Sequence, residues 1–74
     1  MKILLTGAFG NIGFSTLQEL LKQGQSVRCF DLPTKDNQKK ATQVAGKAEI
    51  IWGDIRNAEQ VDALVQDQEV IVQF

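Results

Sequence analysis

Three glycines recur at every third position near the start of the chain, and an acidic residue follows them. Gly7, Gly10 and Gly13 have the spacing G-x-x-G-x-x-G, and Asp31 lies 18 residues beyond the last of them. Glycine lets a backbone turn sharply and approach a bound group closely. A carboxylate at this distance can accept hydrogen bonds from ribose hydroxyls. These types and spacings favour the binding of a dinucleotide.

Each glycine has an expected role in such a loop. Gly7 permits a tight turn, where a positive φ is required, and Gly10 lets the backbone approach the pyrophosphate. Gly13 allows the following helix to lie close to the sheet. Free N–H groups near Asn11 and Ile12 would then point at the phosphates, whose charge the helix dipole favours. No lysine follows the glycines, which excludes a P-loop of the G-x-x-x-x-G-K-[ST] type.

The acidic residue also bears on the choice of cofactor. The carboxylate of Asp31 would repel a 2′-phosphate, so we expect NAD rather than NADP. Lys35, Lys39 and Lys40 are able to neutralise a 2′-phosphate, but a solvated helix face is the commoner role of such lysines.

Three further residues are candidates for cofactor contact. Phe9 is the bulky side chain of the glycine loop and is expected to shield the cofactor. Asp54 follows a predicted strand and could accept a hydrogen bond from the adenine amino group, with Ile55 against the ring. The alternative is that Asp54 only ends the strand and favours the dipole of the next helix. The residues alone leave these two interpretations open.

Alternating strands and helices must position these residues. Four apolar runs predict strands, which are Lys2–Thr6, Ser26–Phe30, Glu49–Trp52 and Glu69–Phe74. The spacing of Leu17, Leu20 and Leu21 predicts a helix that ends before Gly24. Asn57, with Gln60 three residues later, predicts the start of another helix. The polar stretch 35–45 is interpreted as a loop followed by a short helix.

The order βαβαβαβ predicts an α/β fold. We expect residues 1–74 to form the N-terminal part of an NAD(P)-binding Rossmann, or doubly wound, domain. Its parallel four-stranded sheet should have the order 3-2-1-4, with helices on both faces. The strand before the glycines and the helix after them favour a binding loop over the alternative that the glycines only mark turns.

The chain resembles the extended short-chain dehydrogenases/reductases, which include NAD-dependent epimerases and dehydratases of nucleotide sugars. The segment TGAFGNIG at 6–13 matches their T-G-x-x-G-x-x-G motif, and Asp31 matches their NAD-selecting acid. The segment GDIR at 53–56 is similar to their G-D-[IL]-R, in which the aspartate reads the adenine. Residues 70–74 resemble their fourth strand.

The resemblance implies the NAD-binding segment of an epimerase/dehydratase-like oxidoreductase, acting on nucleotide sugars. In that family a Ser or Thr and a Y-x-x-x-K pair carry the proton chemistry, and they lie beyond the fourth strand. This sequence has no tyrosine. We therefore expect no catalytic residue here, an absent substrate part, and no activity in isolation. The alternatives are a non-catalytic NAD(P)-binding redox sensor and a structural module with a vestigial site.

Composition narrows the remaining functional classes. The net charge is −1 and the sequence has no basic stripe, which argues against nucleic acid as a binding partner. The sequence has no histidine and a single cysteine, Cys29, so a metal site is not expected. Cys29 itself should be a buried, inert thiol. No apolar run approaches the roughly 20 residues of a membrane span, so a cytoplasmic location is expected. An open edge at Val70–Phe74 predicts a homodimer or aggregation through this strand.

Overall fold

The computed structural model of the chain describes residues 2–54, 56–68 and 70–73. In chain order the elements are β1 (Lys2–Thr6), α1 (Asn11–Lys22), β2 (Ser26–Asp31), α2 (Lys35–Ala41), a 3-10 turn (Thr42–Val44), β3 (Glu49–Trp52), α3 (Ala58–Val65) and β4 (Val70–Gln73). Within these ranges, no helix combines the length and the apolar character needed to cross a membrane.

The four strands form one parallel sheet. The order is β3-β2-β1-β4, as the alternation of elements predicts. Leu5 of β1 lies opposite Cys29 of β2 on one side and Val72 of β4 on the other. The carboxyl ends of β1, β2 and β3 therefore lie along one edge of the sheet, where the loops that follow them meet.

Alternate strand residues pack against helices on opposite faces. Leu5 and Cys29 are buried beneath α1 and α2, in a cluster that includes Leu17. Leu4 of β1 and Phe30 of β2 pack against Leu64 of α3 on the other face. The helices thus cover both faces, and the predicted partial Rossmann fold is confirmed.

The helix boundaries follow from local capping interactions. After α1, the N–H of Gly24 bonds to the carbonyl of Leu21 and that of Gln25 to the carbonyl of Leu20, which is the Schellman pattern. The side chain of Asn57 accepts a bond from the N–H of Gln60, as predicted for the start of α3.

The stretch 35–45 departs from the prediction of a loop before a helix. The helix α2 begins directly at Lys35, because Thr34 caps it by accepting a hydrogen bond from the N–H of Asn37 at 3.1 Å. Ala41 and Val44 are the buried residues of this segment, so its apolar face is narrow and the sequence pattern weak.

Candidate functional site

The glycine loop leaves β1 and turns back into α1 within four residues. Gly7 has a φ of 65°, a left-handed conformation that side chains disfavour. Its N–H donates to the carbonyl of Phe30 at 2.9 Å, and its own carbonyl accepts from the N–H of Gly10 at 3.3 Å. The turn expected at Gly7 is therefore present, and it is fixed to the end of β2.

Gly13 allows the close approach of α1 to this turn. A Cβ at position 13 would lie 2.0 Å from the carbonyl oxygen of Gly7 and 3.2 Å from the Cα of Ala8. Both neighbours are backbone atoms, which a rotamer change cannot remove. Only glycine fits here, and the reason is contact within the protein rather than contact with a ligand.

The amino terminus of α1 opens towards the loop without a side-chain cap. Gly10 is the N-cap residue, and the first turn contains no acidic residue. By contrast, the side chains of Thr34 and Asn57 cap α2 and α3. The first N–H groups of α1 have no carbonyl within the helix to bond to, so they can donate to an anion.

A cleft of about 600 Å³ lies against this terminus. It brings together six residues predicted from the sequence and one that was not, and its lining is Gly7, Gly10, Asn11, Ile12, Gly13, Asp31 and Asn37. The side chain of Ile12 is 70% exposed there. The cleft thus combines backbone donors, an apolar surface and a carboxylate.

The carboxylate of Asp31 is held in place by two backbone donors. Its Oδ2 accepts from the N–H of Phe9 at 3.0 Å, and its Oδ1 accepts from the N–H of Leu32 at 2.8 Å. The end of β2 is therefore tied to the glycine loop by a side chain, and not only by neighbouring strands.

Phe9 occupies a different place from the one expected. Its ring is 1% exposed and packs against Trp52, at 5.3 Å between ring centroids, and against Phe14 at 6.2 Å. The side chain therefore belongs to the core and does not line the cleft, which does not fit the expected shielding of the cofactor. The contribution of Phe9 to the loop is made by its backbone.

Asp54 is not among the residues that line the cleft, although the N–H of its neighbour Gly53 donates to the carbonyl of Asp31 at 3.1 Å. Its carboxylate is paired with the guanidinium of Arg56, with Nε 3.0 Å from Oδ1. The hydrogen bonds from Arg56 lower the pKa of Asp54 to about 2. The N–H of Asp54 donates to Oε1 of Gln60 at 3.3 Å. Ile55, its expected partner at the adenine ring, lies outside the described residues.

Two residues of α2 contact the cleft or the glycine loop in ways that no sequence pattern predicts. Asn37 lines the cleft, and its side-chain amide donates to the carbonyl of Leu32 at 2.8 Å. Lys40 donates to the carbonyl of Phe9 at 2.8 Å, so it is not simply part of a solvated face. The capping residue Thr34 is the feature that could have placed both of them, because it fixes where α2 begins.

Comparison with protein families gives a match over nearly the whole chain. The model of the 3-beta hydroxysteroid dehydrogenase/isomerase family matches residues 4–74. The matched range includes the glycine loop, Asp31 and all the residues of the cleft.

Proposed function

Since the chain belongs to the 3-beta hydroxysteroid dehydrogenase/isomerase family, we propose that it binds NAD in the cleft between the glycine loop and Asp31. The family is one that depends on nicotinamide dinucleotides and falls among the extended short-chain dehydrogenases/reductases. The observation that carries the proposal is the cleft itself, in which the uncapped terminus of α1 faces the carboxylate of Asp31.

The pyrophosphate would lie at the start of α1. Its charge suits the positive end of the helix dipole, and the N–H groups of Asn11 and Ile12 supply donors. Gly10 suits a close approach of the pyrophosphate, because it has no Cβ. Its φ of −72° is one that any residue adopts, so the backbone conformation does not require glycine here. A Cβ at position 10 would lie 3.6 Å from the carbonyl oxygen of Gly7, an ordinary contact, so the packing of the loop does not itself require glycine here.

Asp31 supports NAD over NADP. Its carboxylate can accept hydrogen bonds from the adenosine ribose, and its charge opposes a 2′-phosphate. Asn37 lies beside it and provides a second polar group at the same end of the cleft. Asp54 keeps its proposed contact with the adenine amino group as a hypothesis, and its carboxylate would be shared between that contact and the exposed guanidinium of Arg56.

We propose further that these 74 residues bind the cofactor but do not catalyse. When bound, the nicotinamide ring supplies hydride transfer. The proton transfer that related enzymes assign to a tyrosine has no counterpart, since the sequence contains no tyrosine. The nucleotide-sugar substrate and the epimerase or dehydratase reaction remain predictions from the resemblance.

Calorimetric titration with NAD and with NADP tests the binding proposal. We expect saturable binding of NAD at one site per chain and weaker binding of NADP. Asp31→Asn should lower NAD affinity by about tenfold or more, in line with hydrogen bonds to charged groups. The matched control is Asp36→Asn, which removes an exposed carboxylate from α2 and should leave both affinities unchanged. Failure of both dinucleotides to bind would refute the proposal.

A further inference from the structure

The two peptide groups on either side of the Cα of Phe9 are held by side chains of opposite charge. The N–H of Phe9 donates to the carboxylate of Asp31 at 3.0 Å, and its carbonyl accepts from the ammonium of Lys40 at 2.8 Å. Asp31 ends β2, whereas Lys40 lies in α2 and is 31 residues away from Phe9 in sequence. The loop is thus clamped from two different elements.

The clamp fixes the peptide group that joins Phe9 to Gly10, a residue that lines the cleft. The carbonyl of Phe9 belongs to the same rigid unit as the N–H of Gly10, which bonds to the carbonyl of Gly7 at 3.3 Å. Rotation of this unit would turn the carbonyl oxygen away from Lys40 and move Gly10, the N-cap of α1. The charge of Lys40 opposes that rotation, because a cation strengthens a hydrogen bond to a carbonyl.

Lys40 also contacts the helix that follows the loop. Its ammonium lies 5.7 Å from the centroid of the Phe14 ring, within the range of a cation–π interaction. Phe14 belongs to α1 and packs against Phe9. One side chain of α2 therefore contacts both the loop and the start of the helix at which the pyrophosphate would lie.

We propose that Lys40 is a positioning residue of the dinucleotide site, holding the Phe9–Gly10 peptide group in the orientation that the cofactor requires. Lys40 is not among the residues that line the cleft, so it acts through the loop rather than by touching the ligand. This inference rests on the proposed binding of NAD. It accounts for a half-buried lysine whose ammonium bonds to the loop beside the cleft but does not line the cleft itself.

Three variants of the 74-residue chain test the inference. Lys40→Met removes the cation but keeps a long side chain, Lys40→Arg restores it, and Lys39→Met removes an exposed lysine from the same turn of α2. In NAD titrations we expect Lys40→Met to bind about tenfold more weakly, at an unchanged one site per chain. Lys40→Arg should stay within about threefold of the parent chain, and Lys39→Met should match it.

A loss of folding is distinguished from a loss of positioning by two readouts. Unfolded chains would lower the number of sites, whereas a misplaced loop lowers the affinity. The amide resonance of Gly10, recorded without ligand, should shift in Lys40→Met and return towards its original position in Lys40→Arg.

The inference is overturned if Lys40→Met binds NAD as the parent chain does. It is overturned equally if this variant loses affinity for NADP alone, which would indicate direct contact with the 2′-phosphate. If the parent chain binds no dinucleotide, the proposed function fails, and the Gly10 resonance then decides alone whether Lys40 restrains the loop.

Discussion

Substitution of Gly13 by alanine should damage the fold before it damages ligand binding. The added Cβ would lie 2.0 Å from the carbonyl oxygen of Gly7, and real Cβ atoms essentially never approach closer than 3.0 Å. The start of α1 would therefore have to move by about 1 Å from the loop. Leu17, one turn further along α1, is fully buried, so this movement would also disturb the core.

The expected loss is the difference between two opposing effects. Overpacking costs about 1–3 kcal/mol, and a clash between backbone groups belongs at the upper end of that range. Replacing glycine by alanine within a helix returns up to about 1 kcal/mol. We therefore expect Gly13→Ala to lower the free energy of unfolding by about 2 kcal/mol, out of about 4–11 kcal/mol for a chain of this length.

Thermal unfolding followed by circular dichroism measures this loss. For domains of this size, about 2 kcal/mol corresponds to a decrease in Tm of about 8–16 °C. Gly10→Ala is the matched control, because its Cβ would lie at an ordinary 3.6 Å from the same carbonyl oxygen. It should lower the Tm by less than Gly13→Ala does, since alanine in place of an N-cap glycine costs at most about 1 kcal/mol, but it should bind NAD more weakly. An unchanged Tm for Gly13→Ala would refute the argument from close approach.

Three further predictions concern single residues. Burial raises the pKa of the Cys29 thiol to about 12, so at pH 8 Ellman's reagent should react far more slowly with the folded chain than with the chain in urea; equal rates would contradict its burial. Arg56 lowers the pKa of Asp54 to about 2, so the small stabilisation from this pair is present above about pH 4 and lost as the pH falls towards 2. In urea titrations, the free energy of unfolding of Arg56→Gln should therefore fall less on acidification than that of the parent chain, and identical profiles would contradict this. The predicted homodimer through 70–74 should appear in sedimentation experiments and be weakened by Ile71→Lys, since Ile71 is 54% exposed on β4, one of the two edge strands of the described sheet. A dilute chain that stays monomeric would refute it.

The strand order was predictable because its signals are local. Each strand is a short apolar run, and the turn signals at Gly24 and Asn57 mark where helices end and begin. Parallel connection then leaves few ways to arrange four strands. The start of α2 was not predictable in the same way, because a narrow apolar face gives little periodicity and the capping role of Thr34 depends on its backbone conformation.

The site was predictable where it depends on backbone conformation and less so where it depends on side-chain direction. The glycine spacing identifies a turn that only particular residues allow, and the structure shows that turn at Gly7. Nothing in the pattern states whether the ring of Phe9 faces the cleft or the core. The bond from Lys40 to its carbonyl joins residues 31 positions apart, which no local pattern encodes.

Asp31 and Lys40 should not behave as independent contributors to cofactor affinity. An ionised carboxylate offers about four acceptor positions, so Asp31 can retain its bonds to the backbone and still accept from a ribose. Asparagine at position 31 has a single side-chain oxygen. The N–H of Phe9 and the ribose hydroxyls must then compete for it. Part of the affinity lost in Asp31→Asn then reflects a weaker restraint on the glycine loop. Lys40→Met weakens the same restraint. In a double-mutant cycle the two losses should be less than additive, and strictly additive losses would show that the two side chains act on the cofactor separately.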